Sequence, residues 1–559
     1  MTYVITRGCC SDSSCVAVCP VQCIRPRPGD PDFTTTEQLY IDPTTCIDCG
    51  ACMDACPVSV IHPDYEVPTH LQDYLQVNAG YFAGREVIPE APSPVTRPIL
   101  PPGRGPLRVA VIGAGPAACY AAAHLTDVSG VEVSVFDRLP TPTGLVRAGV
   151  APDHMTTKRI SDYFRSVLSR PSVRCFFNVS VGRDVSLADL RRHFHAVIFA
   201  GGADDDRKLG IPGEELLGSR SAREFVAWYN GHPDHADSEF DLDGGRVVVI
   251  GNGNVALDVA RALAAPVACF EDTDMSSRAL TALRSSGVSE VVVAARRGPR
   301  QSAFSAGELL ALTQVPGIDV TAMADELLRD PSGDAPYGES SLALKLRLLD
   351  EAAQRPRTAG NRSIQLRFFL TPLALEDDGH GRVASVRFAT GGPGAADPGP
   401  GTAPTETIEA TLVLRSIGFR GRAIDGFPFD DVTGTIPNRE GRVVDLSGKA
   451  VVGLYCGGWA KRGASGTIGT NRGCAAETVA ALLSDFSMGL LPDVTSSDDD
   501  VDAVIRARAD VVDFSDWQRI DLAERKLGKQ EGRPRVKFLT VGDMLAAARP
   551  AAGGVPPLV

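Results

Sequence analysis

Nine of the fourteen cysteines in this 559-residue chain precede residue 57, and they form two unequal runs. The second, Cys46-Ile-Asp-Cys49-Gly-Ala-Cys52-Met-Asp-Ala-Cys56-Pro57, is an unbroken C-x2-C-x2-C-x3-C-P. Thiolates at that spacing hold iron–sulfur clusters, and in two-cluster modules the fourth cysteine of each run serves the other run's cluster. The first run keeps the frame with Cys9, Cys15, Cys19 and Pro20 but has Asp12 where its second cysteine belongs. A carboxylate is a harder, more weakly held ligand for such iron than a thiolate. The asymmetry predicts one ordinary cluster and one unusual one, either short of an iron or closed by Asp12. Zinc is the competing metal, and the x2-x2 repeat of three cysteines fits it poorly. Cys10, beside Cys9, is an alternative ligand. Cys23, Cys119, Cys175, Cys269, Cys456 and Cys474 read as buried free thiols.

Glycine turns carry a second chemistry. The apolar run Leu107–Ile112 enters Gly113-Ala-Gly115-Pro-Ala117-Ala118 and an alanine-rich helix, and a second strand, Val131–Phe136, ends in Asp137. The same order recurs in Arg246–Ile250, Gly251-Asn252-Gly253-Asn254-Val255-Ala256, a helix near 254–265, and Val291–Ala295 followed by Arg296-Arg297-Gly298. The first glycine of each turn makes the bend, the second admits a pyrophosphate, and the third position packs helix on strand. The helix N-terminus then offers its unpaired N–H groups to the phosphates. The ends of the second strands differ. Asp137, 24 positions after Gly113, accepts from ribose hydroxyls and suits FAD or NAD. Guanidiniums at 296 and 297 would meet a 2′-phosphate and favour NADPH over NADH. The 45 positions from Gly251 to Arg296 require an insertion, placed at 266–287.

These sites need elements to position them. Residues 1–66 read as the cluster module, with a strand at Leu39–Ile41. Residues 67–106 read as a spacer, with prolines at 89, 92, 94, 98, 101, 102 and 106. Ala196–Phe199 and Thr411–Leu414 read as sheet-closing strands, and 490–512 as a loop leading to C-terminal helices. A net charge of −13 argues against general nucleic-acid binding. Residues 1–84 hold ten acidic side chains against three basic, a field able to steer the module toward a basic partner. No stretch is long and apolar enough for a membrane span, and the first residues lack a leader pattern, so a cytoplasmic location is expected.

NADPH gives up two electrons as a hydride, whereas iron–sulfur clusters take one at a time. A flavin at the first site supplies the conversion. Pro142-Thr-Gly-Leu145-Val-Arg-Ala-Gly-Val-Ala-Pro-Asp-His154, the Gly251–Ala256 turn, Arg296-Arg297-Gly298-Pro299 and Trp459-Ala-Lys-Arg-Gly-Ala-Ser-Gly466-Thr467-Ile468-Gly-Thr-Asn471 carry a resemblance. They are similar to adrenodoxin-reductase-like ferredoxin–NADP reductases, in the actinobacterial form with a fused seven-iron-type ferredoxin.

That resemblance implies an α+β ferredoxin-like iron–sulfur module followed by an α/β, Rossmann-type flavoprotein with two dinucleotide folds. The FAD domain would comprise 107–205 and 421–559, the latter with the C-terminal helices, and the NADPH domain, 206–420, would be inserted in it. FAD would be held by Gly113, Gly115, Ala117, Asp137, Leu145, Val181, Trp459, Gly466, Thr467 and Ile468. NADPH would meet Arg207, Asn252, Gly253, Asn254, Val255, Arg296, Arg297, Glu308 and Gly466. Asp137 replaces the glutamate more usual in the family. Trp459 would cover the flavin ring, and the helix after Gly473 would stabilise its reduced form through the helix dipole. His154 and Glu308 are the implied catalytic candidates, for proton handling or nicotinamide placement. Cys19, Cys46, Cys49 and Cys52 would bind a 4Fe–4S cluster, and Cys9, Cys15 and Cys56 a 3Fe–4S cluster, or a 4Fe–4S cluster completed by Asp12. The implied partners are one-electron acceptors, ferredoxins and haem monooxygenases. Two other readings stand beside this one: the electron-input subunit of a larger redox enzyme, and a ferredoxin carrier whose nucleotide-binding body is a scaffold. A thiol-linked disulfide reductase would need a cysteine pair near the flavin, and no such pair follows Gly113.

Overall fold

The computed structural model describes residues 1–85, 87, 100, 106–329, 339–391, 404–494 and 498–549. In the cysteine module the two runs adopt one geometry twice. Each wraps a five-residue helix, Ser14–Val18 or Ala51–Ala55, entered through a left-handed residue, Ser13 (φ 63°) or Gly50 (φ 75°). Each leaves its helix extended at Cys19 (ψ 114°) or Cys56 (ψ 112°). Asp12 therefore changes the first run's chemistry without changing its path. Tyr3–Ile5 pairs antiparallel with Ile61–Pro63, and Ile24–Arg25 with Tyr40–Ile41.

The module extends further than composition indicated. Asp73–Tyr81, placed with the spacer, is a helix closing both strand pairs. Its Asn78 is only 2% exposed; Oδ1 accepts from Ile5 N and Ile41 N, and Nδ2 donates to Ile5 O. Val67, Tyr74, Val77 and Phe82 are buried around it, a periodicity the neighbouring prolines obscured. The proline run itself, apart from Pro106, lies outside the described residues.

The body holds two sheets. One has seven strands in the order 438–439, 442–444, 450–456, 196–199, 107–112, 131–137, 173–177, parallel from Ala450–Cys456 onward. The other has six parallel strands in the order 219–221, 412–415, 246–250, 290–294, 362–367, 318–322. A three-stranded antiparallel sheet, 370–377, 383–390 and 405–409, lies after the fifth. The chain crosses between the two parallel sheets at Asp205–Asp206 and Phe419–Arg420, which pair with each other. The α/β architecture after an iron–sulfur module is as expected. The 266–287 insertion contains a 3-10 turn, Val267–Cys269, and a helix, Ser277–Arg284.

One expectation fails at the C-terminal end. The segment 490–512 contains a helix, Asp498–Arg506, with Val501 and Ile505 buried. Among the described residues, no helix is long and apolar enough to cross a membrane.

Candidate functional site

Each cysteine set lines its own cavity. Cys19, Cys46, Cys49 and Cys52 surround one, together with Cys23; Cys9, Cys15, Cys56 and Cys10 surround the other, together with Asp12. Cys23 was grouped with the inert thiols, yet the turn 19–22, with Gln22 left-handed, brings it back to the cavity. Its sulfur lies 3.5 Å from that of Cys19, and it is also a partner of Cys46. The single S–H of Cys23 can donate to either sulfur, favouring the thiolate of the one it meets, the form that binds iron. The Cys-Pro-x-x-Cys spacing of 19–23 was the available signal.

The second cavity differs in its fourth corner. Asp12 is 5% exposed, and both its oxygens already have donors. Oδ1 accepts from Ser14 N (3.0 Å), and Oδ2 from Ser14 Oγ (2.7 Å) with Arg472 Nη1 at 3.4 Å. The hydroxyls of Ser11 and Ser13 are buried without a partner and line the same cavity. Orphaned donors beside convergent cysteines fit a cluster, whose sulfurs accept hydrogen bonds.

The two glycine turns are superimposable in their bonding. Gly113 N donates to Phe136 O (2.7 Å), placing Asp137 at the mouth of the first turn. Gly251 N donates to Ala294 O (2.9 Å), which brings Ala295 to the place that Asp137 has in the first turn, with Arg296 and Arg297 exposed just beyond it despite the long insertion. Both glycines have positive φ, 105° and 114°, and a Cβ would run into Ala200 O or Ser416 O. The following helices, Pro116–Thr126 and Asn254–Ala264, have no side-chain cap. Ser186, Ser221, Ser276, Ser305, Asp513 and Thr540 cap other helices of the chain. Open N–H groups behind a turn whose first and third residues are glycine form a cradle that fits a dinucleotide pyrophosphate.

Around the first turn, Asp137 Oδ2 accepts from Ala114 N (2.7 Å), and a side chain on Gly144, before Leu145, would press on Gly115 Cα. Gly458, before Trp459, is seated on Ala117. Trp459 stacks on Phe419 with centroids 5.6 Å apart, and its indole N–H donates to Ser465 O. Val181 is buried with Ile112 and Phe136, the residues flanking the turn. Gly466 has φ 80°, and Thr467 N donates to Thr470 Oγ1. Ile468 and Ala117 pack against one core. Near the second turn, Arg207 N donates to Gly418 O, and Asn254 Oδ1 accepts from Ser305 N, the cap of the helix bearing Glu308. Arg207, Arg296 and Arg297 are exposed.

His154 and Glu308 do come together, within a larger ionic network. His154 Nε2 is 3.5 Å from Glu308 Oε2 and 3.6 Å from Asp258 Oδ1. Arg261 binds Asp153 and Asp258 from below. Arg7 of the cysteine module enters from above: its Nη2 lies 2.7 Å from Glu308 Oε2 and 2.6 Å from His154 Nε2. Burial alone would raise the Glu308 carboxyl, but His154, Arg7 and Arg261 outweigh it and hold it at about 2. With two guanidiniums among them, His154, Asp258 and Glu308 form an ion-pair junction, not a cation site. Sequence reading missed Arg7, because its partners lie 147 and 301 positions away.

A 4Fe-4S dicluster domain model matches residues 7–60, and a second model of the same description matches 38–89. A pyridine nucleotide-disulphide oxidoreductase model matches 107–293. The probable ferredoxin/ferredoxin–NADP reductase of Mycobacterium leprae (strain TN) is 44% identical over 567 residues, covering 100% of this chain and 99% of the relative. The chain belongs to that reductase family. The NADPH-ferredoxin reductase FprA of Mycobacterium tuberculosis (strain ATCC 25618 / H37Rv) is 39% identical over 459 residues, covering 79% of this chain and 98% of the relative. A solved structure titled Mycobacterium tuberculosis FprA in complex with NADPH matches with a TM-score of 0.72 at 38% identity, covering 79% of this chain and 99% of that one. This ferredoxin–NADP reductase family member is therefore an oxidoreductase with an FprA-like flavoprotein body and a fused dicluster module.

Proposed function

We propose that this enzyme oxidises NADPH and delivers its electrons singly to acceptor proteins: NADPH + 2 acceptor(ox) → NADP⁺ + H⁺ + 2 acceptor(red). The observation that carries this reading is the pair of equivalent glycine turns with opposite charge at their mouths, on one chain with two cysteine cavities. FAD, when bound, supplies the exchange between hydride and single electrons. Asp137 would take its ribose, the uncapped helix at Pro116 its pyrophosphate, and Trp459 with Gly466, Thr467 and Ile468 would border its ring. Arg207, Arg296 and Arg297 would meet the 2′-phosphate of NADPH, with residues 252–255 on its pyrophosphate. His154 and Glu308 would place the nicotinamide. Both turns being intact speaks against a scaffold body.

Cys19, Cys46, Cys49 and Cys52 would hold a 4Fe–4S cluster. Cys9, Cys15 and Cys56 would hold a 3Fe–4S cluster, because Ser14 and Arg472 already occupy the Asp12 oxygens. Ferredoxins and haem monooxygenases are the acceptor classes the resemblance implies, and the free thiols suit a reducing cytoplasm.

With a one-electron acceptor such as cytochrome c, NADPH should far outperform NADH. Arg296→Ala/Arg297→Ala should raise the KM for NADPH roughly 10- to 100-fold, the worth of one or two charge-assisted bonds, and leave that for NADH alone. Equal use of both nucleotides by the parent enzyme would sink the assignment. Electron paramagnetic resonance of anaerobic protein as isolated should give the signal of an oxidised three-iron cluster, unchanged in form in Asp12→Asn. Its absence would return Asp12 to the role of ligand.

A further inference from the structure

One loop of the cysteine module is bonded directly to the flavoprotein body beside Gly466–Ile468. Cys10 O accepts from Gly469 N (2.7 Å) and from Thr467 Oγ1 (3.2 Å). Arg472 Nη1 donates to Asp12 O (3.0 Å) and Ser14 Oγ (2.7 Å). The loop of the Cys9/Cys15/Cys56 cavity is thus bonded to the turn that runs on from Gly466–Ile468. The other cavity faces outward: Cys49 is exposed, and Ile47 beside it is 57% exposed.

Gly469 shows how close this seating is. Its backbone, φ −72° and ψ −24°, is ordinary helix that any residue adopts. A Cβ there would nonetheless fall deep inside contact distance of Asp12 N and Ser11 C, backbone atoms that cannot turn aside. Gly473, one helical turn on, has open space where its Cβ would be. The first glycine is needed by the module across the interface, and the second is not.

We infer that the fused module is docked for transfer within the same chain, with the Cys9/Cys15/Cys56 site inner and the Cys19/Cys46/Cys49/Cys52 site outer. Gly469 is the positioning residue that sets the approach of the inner site. This rests on the proposed NADPH-to-acceptor function and adds its internal order. Each NADPH sends two electrons through the inner site one at a time. They leave from the outer site to two acceptors, with one proton released to solvent.

The test compares Gly469→Ala with Gly473→Ala in the full-length holoenzyme. In the parent, NADPH should reduce the clusters at a rate independent of protein concentration. Gly469→Ala should keep ferricyanide reduction, which needs no cluster, yet slow cluster reduction several-fold, because electron tunnelling falls off exponentially as the inner site is pushed away. Amide hydrogen exchange in 9–14 and 466–472 should rise in Gly469→Ala and not in Gly473→Ala. Arg472→Gln, which frees Ser14 without adding an atom to the interface, should change exchange and cluster reduction in the same direction. Parent-like cluster reduction in Gly469→Ala, equal slowing in both glycine variants, loss of bound flavin in Gly469→Ala, or a concentration-dependent parent rate would each overturn the inference. A parent enzyme that reduces ferricyanide but never its clusters would instead remove the functional reading beneath it.

Discussion

Lys345→Met should destabilise the seating of the cysteine module by about 3–5 kcal/mol, the usual cost of stranding one member of a buried ion pair. Lys345 is fully buried in helix 339–354, and its ammonium lies 3.7 Å from the carboxylate of Glu37, which is 8% exposed on the module. Glu37 also accepts from Ala306 N and Ser341 Oγ, so three groups of the nucleotide-binding body converge on one module side chain. Burial pushes Lys345 down to about 8 and raises Glu37, so both charges are held at a cost that their pairing offsets together with the bonds from Ser341 and Ala306 to Glu37 and from Lys345 to Ser302 O. Removing the lysine leaves Glu37 to protonate or to pull away. The double variant Lys345→Met/Glu37→Gln should recover most of the loss, because no unpaired charge remains. Thermal unfolding and protease cleavage within 85–106 would read both effects. A double variant no better than Lys345→Met would refute the pairing argument.

The same contact explains which parts of this molecule were legible in its sequence. Both cluster runs and both glycine turns are local patterns, spelled out within a dozen residues, so their geometry could be read directly. Arg296 and Arg297 were legible at the end of a strand even across the insertion, because hydrogen bonding within a parallel sheet ties Gly251 to Ala294. What binds the module to the body was not legible. Glu37 meets Lys345 across 308 positions, and Arg7 meets Glu308 across 301. Each looks in sequence like one more solvated charge. Cys23 and Asp73–Tyr81 were obscured for another reason: each sits beside a stronger signal, a cysteine frame or a proline run, that drew the assignment of its neighbours. Gly469 shows the limit most sharply. Nothing in its own conformation calls for glycine, and only the loop from Ser11 to Asp12 gives the reason.

The ionic junction yields the second large effect, and its sign follows from the direction of the shift. Glu308 is held at about 2, below the ordinary 4.5, and Asp153 at about 2, below the ordinary 3.8, where Arg261 and His154 outweigh the effect of burial. A carboxyl whose folded value is depressed contributes stability that is complete above its unfolded value and is lost as pH falls toward the folded one. For Glu308 that window runs from about 4.5 down to about 2, and the shift corresponds to about 3 kcal/mol. Glu308→Gln should therefore be less stable than the parent by about that amount at pH 7. The gap should stay constant down to about pH 5 and close progressively below it. Acid also attacks iron–sulfur clusters, but it does so in both proteins, so the difference between their denaturant midpoints isolates the carboxylate. Since Arg7 belongs to the cysteine module, His154 to the part of the chain around the seven-stranded sheet and Glu308 to the part around the six-stranded sheet, the lost stability should appear as loosening between these parts. Tryptic cleavage in 85–106, which holds Arg85 and Arg104, should accelerate in Glu308→Gln at pH 7. A gap unchanged between pH 7 and pH 4 would mean that Glu308 stabilises this junction through its shape and not its charge.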